Sequence, residues 1–178
     1  NNDGPGDAGV IKPVAGSQRG LAVSCGICPK YSDLDAYAMA ACSVDEAVRN
    51  LVAVGARPGM IAGLDNFCWP DPVQSEKTPD GLYKMAQLVR ANKALYDVTT
   101  GFKVPAISGK DSVKNDSVRG GRKISIPPTV LFSTIGKIED IGLAITMHFK
   151  HAGDSIYVIG QTRNELGGSE FFRMLAQE

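Results

Sequence analysis

An α/β layer structure is the fold class this sequence predicts. Short apolar strand-like runs alternate with two long helical stretches, and glycine or proline marks the junctions between them. Arg19 to Gly26 (RGLAVSCG) reads as a strand, and Leu34 to Val54 as an alanine-rich helix that stops at Gly55 with Pro58 just beyond. Met60 to Leu64 is a short apolar strand leading into LDNFCWPDP. Thr78 is read as an N-cap with Pro79 at the first helical position. The helix that follows carries Met85, Leu88, Val89, Leu95 and Tyr96 as its apolar set and runs to about Thr100. Val104 to Ile107 then reads as a short buried strand, Lys123 to Ile126 as another, and Val130 to Ile138 as a longer one. In such a layer structure ligands collect in the loops at strand ends.

The chain has 178 residues, enough for one full domain and a small piece of a second. The composition shifts at KHAGDSIYVIGQTRNELGGSEFF, where a Gly-Asp turn precedes a strand from Ser155 to Ile159 and a Gly167-Gly168-Ser169 loop precedes a helix. The expected division is therefore 1–147 and 148–178, the second part being the incomplete opening of another domain. The polar, glycine-rich start NNDGPGDAG reads as an interdomain cut and has no signal-peptide character. Lys and Arg total 19 against 19 Asp and Glu, a formal net charge of zero, which points away from nucleic-acid and membrane surfaces and toward a small molecule or another domain. No apolar run approaches the roughly 18 residues that span a bilayer, so a cytosolic location is expected.

Four cysteines stand at Cys25, Cys28, Cys42 and Cys68, and only Cys25 and Cys28 form a CxxC. A structural zinc site wants a second close pair or histidines at ligand spacing, and His148 and His151 lie far from any cysteine. A thioredoxin-like motif opens a helix, whereas this CxxC leaves a strand and enters PKYSD.

Chemistry gathers elsewhere. Glu46 and Asn50 are one helical turn apart and share a face, offering a carboxylate and an amide oxygen as hard ligands for magnesium. Asp65 is placed at a strand end, aimed at whatever occupies the crevice. In SGKDS, Gly109 lets backbone amides approach a phosphate, Lys110 supplies positive charge, and Asp111 is placed to hold a magnesium on phosphate oxygens. The plainer readings are that Glu46 pairs with Arg49 or Arg57 on a solvated face, that Asn50 is a surface residue, and that Asp65 caps a turn with Asn66. SGKDS is not a GxxxxGK[ST] loop, and spacing alone carries the reading no further than phosphate binding.

The stretches GDAGVIKP, LAVSCGICPKYSDLDAYAMAACSVDEAVRNLVAVGA, IAGLDNFCWPDP, SEKTPDGLYKMAQLVRANKALYD, SGKDSVKND, ISIPPTVLFSTIGKIED and NELGGSEFF resemble the phosphoribosylformylglycinamidine synthases, in family order and over nearly the whole chain. The resemblance implies the fold shared with aminoimidazole ribonucleotide synthetase: a mixed sheet with helices on one side, pairing with a like domain into a central barrel. It implies the second unit's N-terminal domain and the start of its C-terminal domain. The implied reaction is ATP-dependent conversion of formylglycinamide ribonucleotide, with ammonia from glutamine, to formylglycinamidine ribonucleotide in purine biosynthesis. The implied cofactors are ATP or ADP and magnesium. The metal ligands carried over are Asp7, Glu46, Asn50 and Asp111, and the interval from Asp7 to Glu46 suits the family pattern without a gap. The nucleotide or substrate contacts carried over are Asp65, Gly109 and Ser112, with Lys110 standing where short-chain members have asparagine. An ammonium repels a cation, so Lys110 is assigned a phosphate contact instead. The implied partners are the first synthetase unit and a glutamine amidotransferase domain or subunit; a homodimer of the chain is expected besides, because a domain that closes a barrel with a like partner leaves sheet edge and apolar surface exposed when it stands alone. No catalytic residue is assigned, because the resemblance places the catalytic histidine and glutaminase cysteine elsewhere. The alternative is a structural module that holds a nucleotide without turning it over.

Overall fold

In β2 (Gly20–Ile27) the small residues Gly20, Ala22, Ser24 and Gly26 are buried, while Val23, Cys25 and Ile27 face outward. The reason lies in α1 (Ala36–Ala53), which lies so close that a Cβ on Gly26 would meet the Ser43 carbonyl at 2.1 Å and the Ala47 nitrogen at 2.7 Å. Only glycine permits that approach. The computed structural model describes residues 6–176. The Asp35 side chain caps α1 by accepting from the amides of Tyr37 and Ala38, and Gly55 follows the helix at φ 102°.

The main sheet has five strands in the order β1-β2-β7-β3-β4, comprising β1 (Gly9–Ile11), β2, β3 (Ile61–Cys68), β4 (Ala106–Ser112) and β7 (Thr129–Ile138). β3 and β4 are parallel and the other neighbours antiparallel, so the sheet is mixed. α1 and α2 (Gly81–Phe102) supply the helical layer. One cluster packs Val44, Ala47, Val48 and Leu51 of α1 with Ala22, Ile61, Phe132 and Ile138. A second packs Met39 and Ala40 with Phe67, Trp69, Val130 and the α2 alanines Ala91 and Ala94. Burial of these side chains is the main favourable term, roughly 1.5–3 kcal/mol for each large aliphatic or aromatic one. The buried hydroxyls are satisfied: Ser24 donates to the Ala47 carbonyl at 2.6 Å and bonds Thr134 at 2.7 Å. On the opposite face Val23 and Ile27 are 46% and 42% exposed.

The structure corrects several expectations. Thr78 does not cap α2; it is buried in a bridge with Ser75, its hydroxyl accepts from Lys123, and the helix starts at Gly81. Met85, Val89 and Tyr96 lie on the exposed side of α2, because the small Ala91 and Ala94 give the tighter approach to α1 and take the inner face. Val104 is buried but precedes its strand, and β4 is an exposed edge strand running on through SGKDS. β1 and β5 (Asp116–Arg119) were not anticipated; β5 forms a hairpin with β6 (Arg122–Ser125) through Gly120 and Gly121.

The chain divides into one unit ending at Thr146 and another starting at Met147. In the second, Ser155 to Ile159 forms no strand, since nothing among the described residues pairs with it. Ser169 caps α3 (Glu170–Leu175), accepting from the Phe172 amide at 3.4 Å. No described helix is long and apolar enough to cross a membrane.

Candidate functional site

SGKDS is a strand, not a loop, and this decides where its side chains go. Successive residues of a strand point to opposite faces. Asp65 pairs with Gly109, Asn66 with Lys110, Phe67 with Asp111 and Cys68 with Ser112. Asp65 is thus inside β3 rather than at its end. Asp65, Gly109 and Asp111 share the face of the buried Phe67, and Lys110 and Ser112 share the opposite face with Asn66.

At the first of these corners the Asp65 carboxylate occupies the space a Gly109 side chain would need, its oxygens 3.0 and 3.1 Å from the position of a Cβ. Glycine here therefore makes room for a carboxylate. Burial pushes the Asp65 carboxyl upward, and the charge of Asp111 pushes it the same way. A half-buried carboxylate held beside a second one forms a place where a cation is favoured. Across the strand Lys110 is in contact with Ser112, and the Asn66 amide oxygen is buried without a hydrogen-bond partner. Asn66 was missed as a candidate; an asparagine inside an apolar strand is itself a signal, since strands are poor in Asn.

A second corner forms where β1 stops. Gly9 of β1 pairs with Val23, and beyond that point no strand among the described residues lies beside the outer edge of β2. Side chains of α1 take over: Ile27 donates its amide to Glu46 Oε2 at 2.9 Å, and Asn50 Nδ2 donates to the Cys25 carbonyl at 3.1 Å. One turn of helix separates the two, as the spacing predicts. Arg49 pairs with Asp45 instead of Glu46. Asp7 is exposed two residues before Gly9, on the continuation of the register that leads to Cys25. Cys28 Sγ lies 3.7 Å from Glu46 Oε2, and burial, then the Glu46 charge, pushes its thiol up to about 11. It stays protonated and does not compete as a soft ligand.

The four candidate metal ligands thus fall into two groups. Glu46 and Asn50 bond the edge of β2, with Asp7 just before β1, while Asp111 on β4 sits beside Asp65 on β3, β4 being separated from β2 by β7 and β3. Three strand spacings are about 14 Å, so one ion does not reach both groups. Among the described residues no three His, Cys, Asp or Glu side chains form a metal-holding group.

Residues 5–138 match the family model "AIR synthase related protein, N-terminal domain". The chain belongs to this family. A phosphoribosylformylglycinamidine synthase subunit PurL from Methanothrix thermoacetophila is 32% identical over 97% of this chain and 22% of its own length. The chain spans about a fifth of the length of the curated relatives it matches. Among solved structures, PurLQS from Thermotoga maritima aligns with a TM-score of 0.56 at 26% identity, over 77% of this chain and 20% of that one. T. maritima PurL complexed with AMPPCP aligns at 0.55 and 26%, over 77% and 21%. The mixed α/β architecture of these AIR synthase related proteins is the one expected from the sequence.

Proposed function

We propose that this chain is part of an ATP-dependent carbon–nitrogen ligase of the phosphoribosylformylglycinamidine synthase type, acting in purine biosynthesis in the cytoplasm with glutamine as amido donor. The observation that carries it is the apposition of Asp65 over Gly109 with Asp111 beside it, in a chain whose relatives include a PurL complexed with AMPPCP. We assign Asp65, Gly109, Lys110 and Ser112 to contacts with the nucleotide and its phosphoryl acceptor. Asp111 belongs to the same corner.

The donor sets fit magnesium. The Asp111 charge opposes ionisation of the half-buried Asp65, and at the other corner the second Glu46 oxygen and the Asn50 amide oxygen are left over once their partner atoms have bonded β2. Magnesium, when bound, supplies charge neutralisation of the phosphate oxygens. The chain's own contribution is to hold its carboxylates where phosphates are to lie, to offer the Lys110 ammonium as a point charge, and to present Ser112 as a hydroxyl donor on the Lys110 side of the strand. The separation of the corners favours a second assignment: Asp7, Glu46 and Asn50 hold a magnesium nucleotide that is not turned over.

The barrel-forming partner is the first synthetase unit, and ammonia comes from a glutamine amidotransferase domain or subunit. On this basis the isolated chain makes no formylglycinamidine ribonucleotide even when ammonia is supplied. Product from the pure chain contradicts that division of labour. Calorimetric titration with magnesium ADP tests the corner itself: wild type binds and Asp111→Asn binds more weakly, and equal affinities exclude the assignment.

A further inference from the structure

The β5–β6 hairpin carries charge that the assignments above leave unused. Between residues 110 and 123 stand Lys110, Lys114, Arg119, Arg122 and Lys123 against Asp111 and Asp116, in a chain whose formal net charge is zero. Lys114 lies 3.8 Å from Asp71, and Lys123 lies 3.2 Å from Asp116. Arg119 and Arg122 are exposed and have no ion pair among the described residues. They form the last rung of the hairpin, directly opposite one another, because Gly120 and Gly121 at φ 56° and 74° close the turn between them in two residues. Opposed residues of an antiparallel pair share a face, with Cβ atoms roughly 4.5–5.5 Å apart, and like charges so placed are unfavourable. The next rung on that face is Ser117 opposite Ile124, which adds a hydroxyl.

The hairpin is not a loose arm. Its other face is tied to the domain: Lys123 donates to the Thr78 hydroxyl at 3.0 Å, Lys84 donates to Ser125 at 3.1 Å, and the Asp71 amide donates to Asp116 at 3.1 Å. Lys84 is itself buried and paired with Asp80 at 3.0 Å. The anchoring leaves the two arginines, and so their guanidinium groups, on the other, exposed face. Each is a rigid fork matched to oxyanions, and together they meet an anion with two or more charges spread over several oxygens.

We propose that Arg119 and Arg122, with the Ser117 hydroxyl, form an anion clamp for a phosphate or polyphosphate group. The clamp lies outside both corners described above and does not rest on their assignment. The anion is either free or the phosphate end of a larger ligand, and two probes tell these sources apart.

The chain is titrated calorimetrically with inorganic tripolyphosphate at low ionic strength, alongside Arg119→Gln/Arg122→Gln and Arg119→Lys/Arg122→Lys, each checked for folding by circular dichroism. Wild type gives saturable binding, the double Gln variant binds at least about tenfold more weakly, and the double Lys variant falls between, because it keeps the charge and loses the forks. Equal affinity in wild type and the Gln variant overturns the clamp, as does absence of binding by wild type. A Lys variant equal to wild type also overturns it, since a general positive field then suffices. In a parallel titration with ADP, a loss in the Gln variant that matches the tripolyphosphate loss identifies a nucleotide's phosphates as the anion. Unchanged ADP affinity beside lost tripolyphosphate binding identifies a clamp for a separate phosphate.

Discussion

The Glu46 carboxylate accepts the Ile27 amide at 2.9 Å, at the edge of β2 beyond Val23 that β1, starting at Gly9, does not cover. One oxygen of this side chain therefore works for the fold and the other is left for a ligand. Glu46→Gln keeps an acceptor for Ile27 and is expected to fold normally with weakened magnesium-dependent nucleotide binding. Glu46→Ala removes the acceptor and costs stability by about 1 kcal/mol, the usual scale for such a bond at an exposed position. Denaturant midpoints of the two variants separate the roles; equal loss of stability in both contradicts this account.

Because Glu46 and Asp111 lie at corners about 14 Å apart by strand spacing, their effects on ligand binding are expected to add. Each of Glu46→Gln and Asp111→Asn removes one charge-assisted contact, about 1–3 kcal/mol. The double variant loses the sum within about 0.5 kcal/mol. A shared ion gives less than the sum, and calorimetry on the four proteins of the cycle decides between the two.

Burial raises the Asp65 carboxyl, and the neighbouring Asp111 charge adds to it. An acid whose folded value is raised binds its proton more tightly when folded, so its ionised form costs stability above that value and the cost disappears as pH falls through it. Asp65→Asn is therefore expected to be more stable than wild type at neutral pH, with the gap closing toward acid pH. Urea denaturation at pH 7 and across the acid range measures this. A variant no more stable than wild type at pH 7 removes the electrostatic cost from the explanation.

The outward face of β2 exposes Val23 and Ile27, and apolar sheet faces of this kind are seldom left bare. Sedimentation of the chain is expected to show a homodimer, and Val23→Lys/Ile27→Lys is expected to show a monomer. A wild-type chain that stays monomeric at high concentration refutes the pairing.

Gly26→Ala would place a methyl group 2.1 Å from the Ser43 carbonyl and 2.9 Å from Glu46 Cβ. α1 has to move off β2, at a cost of about 3 kcal/mol or more. Thermal denaturation checks it, and an unchanged midpoint contradicts the tight α1–β2 contact.

Local pattern was sufficient wherever one element faces one core. The long helix α1, its stop at Gly55 and the strand β7 are legible in the sequence because each residue's neighbours there are set within a turn or a pleat. The pairing of Glu46 with Asn50 was legible for the same reason. The face of α2 was misjudged because side-chain size, the cue available in the sequence, ran opposite to the closeness of packing that Ala91 and Ala94 allow. SGKDS looked like a loop because glycine, lysine and aspartate are poor strand residues, and only its hydrogen bonding to β3 makes it one. The grouping of Asp65 with Asp111 depends on β4 pairing with β3, and the parting of Asp111 from Glu46 depends on β7 coming back to lie between β2 and β3. Strand order is a choice among contacts distant in sequence, set by which faces bury together, and no local spacing encodes it.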